Sequence, residues 1–197
     1  FLDNHQSTID YALKVLSAND VKPNVMEDAY LFMGNSFKAM KLSEKAIFAY
    51  KQVLKTTNNI KAAEAKYGIC EILFDQHKNV ECEQHIMEMV QQKPSYDFWL
   101  AKAIILLGDN FVVAKDYFNA KHSLQSIIDN YSGPEVDNVI AIAQAKIEEI
   151  LILEKQELDA EPEQEDMEID FDEIDPSDED LFEEEVIEEN VNEKIDN

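Results

Sequence analysis

Two cysteines and four histidines are the residues of this 197-residue chain best suited to redox, nucleophilic or metal chemistry. Cys70 and Cys82 lie twelve positions apart, and His85 follows Cys82 by three, on the same helical face or close to it. A zinc site there needs two more ligands at compatible spacing, and His5, His77 and His122 do not supply it. No His-Glu-x-x-His, Gly-x-Ser-x-Gly or phosphate-loop motif occurs. Acid pairs such as Glu148-Glu149 read as a solvated helix face. The expectation is a noncatalytic protein with no cofactor and no metal.

Composition says what kind of elements must position these residues. Gly 4 and Pro 5 are scarce, where average usage gives roughly 24 breakers for this length. That shortage argues against a turn-rich all-β fold and for helices. All 17 basic residues are Lys, set against 42 acidic ones, for a net charge of −25. Such a chain repels phosphate, so nucleic acid is not an expected partner. No run of 18 apolar residues occurs, so no transmembrane segment is expected. Two cysteines cannot form a disulfide framework. The first residue is Phe1 rather than Met, which is expected of a fragment or a processed chain.

The charge divides the chain. Residues 159–197 hold 20 acidic residues and one Lys, whereas residues 1–158 hold 22 acidic and 16 Lys. The first stretch has the balance of a folded domain; the second is expected to stay solvated and disordered. Within it, Ser177 with Asp180, followed by Leu181, Phe182, Val186 and Ile187, could start a helix over 177–190 that folds on a basic partner or onto the body. Asp170, Asp172, Asp175 and Asp178 lack the Gly and the terminal Glu of an EF-hand loop, so only weak, nonspecific calcium binding is expected.

The body repeats itself. Met33-Gly34-Asn35-Ser36-Phe37 leads to Ala46 and Tyr50; Leu107-Gly108-Asp109-Asn110-Phe111 leads to Ala120 and Leu124. Between them, Ile69-Cys70-Glu71-Ile72-Leu73 leads to Cys82 and Ile86. With Ala12 of an opening half copy, the small residues Ala12, Ala46, Cys82 and Ala120 lie 34, 36 and 38 apart. Turn signals separate the copies: Asn19-Asp20, Lys22-Pro23, Asn58-Asn59, Pro94-Ser95 and Ser132-Gly133-Pro134. Small residues let paired helices approach, and stacking of pairs supplies a core that no pair has alone.

This pattern resembles the tetratricopeptide repeat, a helix–turn–helix unit, over roughly residues 6–157. Tyr30, Met33, Gly34, Phe37, Ala46 and Tyr50 fill its slots in the first full copy, while Lys66 stands where the second copy should have a large residue. The resemblance implies an all-α, right-handed α-solenoid of helix hairpins over residues 1–158. It comprises a half repeat (1–25), repeats at 26–59, 60–95 and 96–133, and a capping helix at 135–157. The acidic tail, 159–197, follows. Val136, Ile140, Ala143, Ile147 and Ile150 recur at helical spacing in the capping helix, with Glu148, Glu149 and Glu154 off that stripe. Phe1 carries no such cap, so further repeats are expected before it. The stretch Phe98–Tyr131 is similar to the C-terminal repeats of long Bacteroidota proteins of this family, which implies the periplasm, with the cytoplasm as the alternative.

The resemblance also implies a concave groove lined by the first helix of each pair. Its inward slots hold Asp28, Leu31, Asn35 and Lys38 in the first copy, then Glu64, Tyr67, Glu71 and Phe74, then Lys102, Ile105, Asp109 and Val112. A long first helix from Tyr96 could rotate the face of the third copy. Such a wall suits an amphipathic helix or an extended peptide of a protein partner. Of the five positions that grip a C-terminal carboxylate in one subfamily, only Asn35 and Lys102 match; Leu31, Gly68 and Leu106 hold the others, so no clamp is expected. Cys70 and Cys82 fall on the slots of closest helix approach. A disulfide there is the sharper reading and packing as two small residues the blander one. Phe98 and Trp99 are expected to pack against the preceding repeat rather than anchor a partner. The expected work is that of a protein-interaction scaffold. The alternatives are a structural spacer at the end of a longer repeat protein, or an acidic tail that binds basic partners.

Overall fold

The computed structural model describes residues 2–160. The acidic tail from 161 onward, with its expected disorder, the helix over 177–190 and the calcium reading of Asp170, Asp172, Asp175 and Asp178, lies outside the described residues. The described chain is all-helical: α1 (Leu2–Leu16), α2 (Pro23–Ala39), α3 (Ser43–Thr56), α4 (Ile60–Asp75), α5 (Asn79–Gln91), α6 (Asp97–Val113), α7 (Tyr117–Asn130) and α8 (Val136–Ala160). Two points differ from the sequence reading. The last helix runs to Ala160, because nothing before Pro162 breaks its pattern. The first helix of the third copy is not unusually long, since α6 and α2 both have 17 residues.

Each helix packs on its neighbours in sequence. The even-numbered helices also pack on one another, α2 on α4, α4 on α6 and α6 on α8, while among the described residues no two odd-numbered helices bring their backbones as close. The even row is therefore the more closely packed one. That row holds every residue assigned above to the groove.

The hairpin turns repeat atom for atom. Lys41, His77 and Lys115 adopt left-handed backbone with φ of 59°, 57° and 59°. After each, the next amide donates back to the carbonyl five residues earlier: Leu42 to Phe37, Lys78 to Leu73 and Asp116 to Phe111, all at 2.9 Å. This is the six-to-one bond of a Schellman ending, which satisfies carbonyls the helix leaves open. Helix starts are capped in varied ways. Pro23 opens α2 where a missing N–H costs nothing. Asn59 Oδ1 accepts from the Lys61 amide at 2.8 Å, and Asp116 Oδ1 from the Asn119 amide at 3.0 Å.

The small residues sit at the crossings. Ala46, Cys82 and Ala120 are fully buried and Ala12 nearly so. A Cβ on Gly108 would stand 3.0 Å from Leu124. Gly34 and Gly68 flank one ring, that of fully buried Tyr50, and a Cβ on either would come within 2.5–2.6 Å of it. Tyr50 thus keys α3 between α2 and α4. Lys66, the misfit of the second copy, is half-buried and turns its ammonium to the Gln92 side-chain oxygen just past the end of α5.

Candidate functional site

The polar residues of the even row are spent on one another at its N-terminal end. Lys61 Nζ of α4 lies 2.6 Å from Asp28 and 3.7 Å from Glu27 of α2. The bond to Asp28 raises the Lys61 pKa. Asn35 donates to Glu64 at 2.9 Å and accepts the Tyr50 hydroxyl at 2.7 Å. Lys38 pairs with Glu71, and Lys41 with Asp75 at 3.2 Å. Burial, followed by the Glu71 and Glu64 carboxylates, holds the Tyr50 phenol well above its ordinary range. Between α2 and α4 the row is a ladder of satisfied pairs. Leu31 is buried in the core, and Phe74 packs half-buried against it.

The C-terminal end of the row is open. An open pocket of about 340 Å³ lies between α4, α6 and α8, and it brings together Tyr67, Lys102, Ile105 and Asp109 from the groove positions. Leu31, Asn35, Lys38, Glu71, Phe74 and Val112 do not line it. Phe98, Val139, Ile142 and Lys146 join its wall. Phe98 packs half-buried against the cluster of α6, α7 and α8 and also lines the pocket, whereas its neighbour Trp99 packs against the core that includes α4. The helix-spacing pattern placed α8 as an end cap, so its lining residues carried no groove signal. Lys146, one turn past Ile142, was legible only through its opposite charge to Asp109, which it meets at 2.6 Å.

Electrostatics distinguish Lys102. Its ammonium stands 4.7 Å from the Tyr67 ring centre, 5.1 Å from Trp99 and 5.7 Å from Phe98. The Tyr67 and Trp99 rings are 5.6 Å apart, and Phe98 meets Trp99 edge-on at 5.2 Å. Ring faces stabilise a cation without neutralising it. Lys102 makes no ion pair with a described carboxylate, although acids outnumber lysines in the chain. Burial, with the Glu71 carboxylate, raises the Tyr67 phenol, so it stays neutral beside the cation.

The cysteines are packed thiols. Both are fully buried and free, and Cys82 Sγ donates to the Cys70 carbonyl at 3.4 Å. Burial pushes Cys70 up to about 12 and Cys82 up to about 11, so neither is a thiolate at neutral pH. His85 pairs with Glu88 at 3.4 Å on an exposed face. Among the described residues no three His, Cys, Asp or Glu side chains gather as a metal set. No helix among them is long and apolar enough to cross a membrane.

No family model matches the chain. No curated protein matches it either. Among solved structures the chain is similar to the crystal structure of BtubC (BKLC) from P. vanneervenii, at 13% identity and a TM-score of 0.55, over 82% of this chain and 76% of that one. At that identity the likeness speaks for the fold alone, an all-helical, repeat-like arrangement.

Proposed function

We propose that the chain is a tetratricopeptide-type scaffold, a right-handed strip of helix hairpins ending in α8, that holds a segment of a protein partner in the cleft between α4, α6 and α8. One observation carries this reading: the cleft, whose lining also holds Asp109 and Glu135, pairs an apolar wall, with Phe98, Ile105 and Ile142, with a lysine held by rings and in no ion pair with a described carboxylate. A peptide that inserts one apolar side chain and sets an acidic group over Lys102 satisfies both features. The identical hairpin turns at Lys41, His77 and Lys115 support the repeat reading.

A second reading holds for the other end. The polar groups paired from Asp28 to Asp75 are engaged with one another across α2 and α4. The α2–α4 part of the row then serves as a spacer that stiffens the strip.

Selection of peptides from a random library on the intact chain tests the proposal. Selected peptides should lose roughly tenfold or more in affinity on Ile142→Asp or Lys102→Glu. They should keep it on Phe118→Asp, a change at a residue 74% exposed on α7. Equal binding to all three variants would move recognition away from the cleft.

A further inference from the structure

Among the described residues, the outward side of α8 has no partner. In the even row, α2, α4 and α6 are each followed by an odd helix that packs on them; α8 touches only α7 and α6 among the described residues. Its inward stripe is Val139, Ala143 and Ile150, flanked by Glu154 and Glu157, which pair with Lys121 and Lys115. Glu154 therefore belongs to the inner flank and not to the solvent side expected of it. The opposite side exposes Leu151 at 50%, Ile152 at 57% and Leu158 at 66%. Around them stand Ala145, Glu148 and Lys155, all exposed, and neither charge is paired with a described residue.

We propose that this side of α8 is a homodimer interface, in which two copies pair their α8 helices antiparallel about a twofold axis between Leu151 and Ile152. Three features select a second copy in this register. First, antiparallel pairing brings the exposed Leu151 and Ile152 of both copies together around the twofold axis. Second, it sets Glu148 of each copy opposite Lys155 of the other, giving two complementary contacts; a parallel, in-register pair would oppose like charges. Third, it separates the acidic sequences that follow Ala160. The two Ala160 ends stand roughly 25 Å apart at 1.5 Å per residue, more than twice the screening length of about 8–10 Å. A self-complementary face meets the requirement of an isologous contact without help from another protein.

The test is sedimentation equilibrium of the full chain at physiological salt. The expected mass is twice 22.6 kDa. Glu148→Lys and Lys155→Glu should each weaken the dimer by about tenfold, because each turns two attractions into repulsions. The double variant should return to within about threefold of the original constant. All four residues at the centre face solvent in the single copy, so circular dichroism should be unchanged in every variant, including Ile152→Asp, which should abolish the dimer. A chain monomeric up to about 1 mM, or a dimer indifferent to both charge swaps, would overturn the proposal.

Discussion

The α2–α3–α4 layer and the α6–α7–α8 layer are built from the same hairpin, yet one is closed and the other open. In the first, Tyr50 fills the crossing, and its hydroxyl starts a chain through Asn35 to Glu64. In the second, Leu124 occupies the matching position and offers no hydrogen bond. Its helix row answers with Lys102 over three rings and one pair, Lys146 with Asp109. The difference teaches that one phenol at a crossing does two jobs. It sets how closely three helices approach, and it ties the polar face of the row into a network. Where the aliphatic Leu124 takes its place there is no such chain, and beside α6 and α8 the row opens into the cleft.

The most direct way to break this comparison is to add a methyl at each crossing. Gly34→Ala and Gly68→Ala should each cost about 2 kcal/mol, although alanine favours an unconstrained helix interior by about 1 kcal/mol. The Tyr50 ring is pinned from both sides, so it cannot retreat from one new Cβ without meeting the opposite helix. Gly108→Ala meets only Leu124, at 3.0 Å, a branched side chain that can yield. Its effect should stay within about 1 kcal/mol of zero. Urea unfolding followed by circular dichroism reads all three, and equal costs at the two crossings would dissolve the distinction between the layers.

That asymmetry marks where the sequence could be read and where it could not. The recurrence of Ala12, Ala46, Cys82 and Ala120 locates the crossings because a small residue there has one physical use. Gly68 gave no such signal. Its partner, Tyr50, belongs to the preceding copy, and a pattern of spacing within copies is blind to contacts between them. Which groove positions are already engaged with a neighbouring helix was not legible, for a related reason. A slot tells which way Asn35, Lys38 or Glu71 points, but it does not tell that a polar partner waits on the neighbouring helix. Leu31 was lost to the core because the row is close enough to bury it. The cleft residues of α8 were missed because the repeat pattern ends before them, even though α8 continues the row.

A smaller effect sharpens the comparison through pH. The folded thiols of Cys70 and Cys82 are raised from 9.0 to about 12 and about 11 by burial. A raised folded pKa means that the unfolded chain loses its proton first. The native state then holds more protons, and stability falls as pH rises through the unfolded value. The contribution is fully present below about pH 9 and shrinks above it, by about 1 kcal/mol per thiol one unit higher. Cys82→Ala, which restores the residue found at Ala46 and Ala120, should flatten that alkaline loss at little cost near pH 7. Above pH 10 the buried phenols of Tyr50 and Tyr67 add the same sign of slope. Tyr50→Phe should therefore flatten the curve there, whereas Leu124→Met should leave its shape alone. Urea midpoints measured from pH 7 to 11 decide this, and an unchanged alkaline slope in Cys82→Ala would contradict the buried-thiol account.

The last effect tests what the two layers share. Lys41, His77 and Lys115 hold left-handed backbone at one position of three equivalent turns, where a side chain is strained by roughly 1–2 kcal/mol. Glycine removes that strain but adds freedom to the unfolded chain worth about 0.4–1 kcal/mol. His77→Gly should therefore stabilise by roughly 0.5 kcal/mol. Lys41 and Lys115 also reach Asp75 at 3.2 Å and Glu157 at 2.8 Å across exposed surface. Their glycine variants lose those weak pairs and should gain less than His77→Gly. The ranking is the informative part, because it follows only if all three turns carry the same backbone strain. If Lys41→Gly stabilised while Lys115→Gly destabilised at high salt, where the pairs are screened, the closed and open layers would not be two uses of one hairpin.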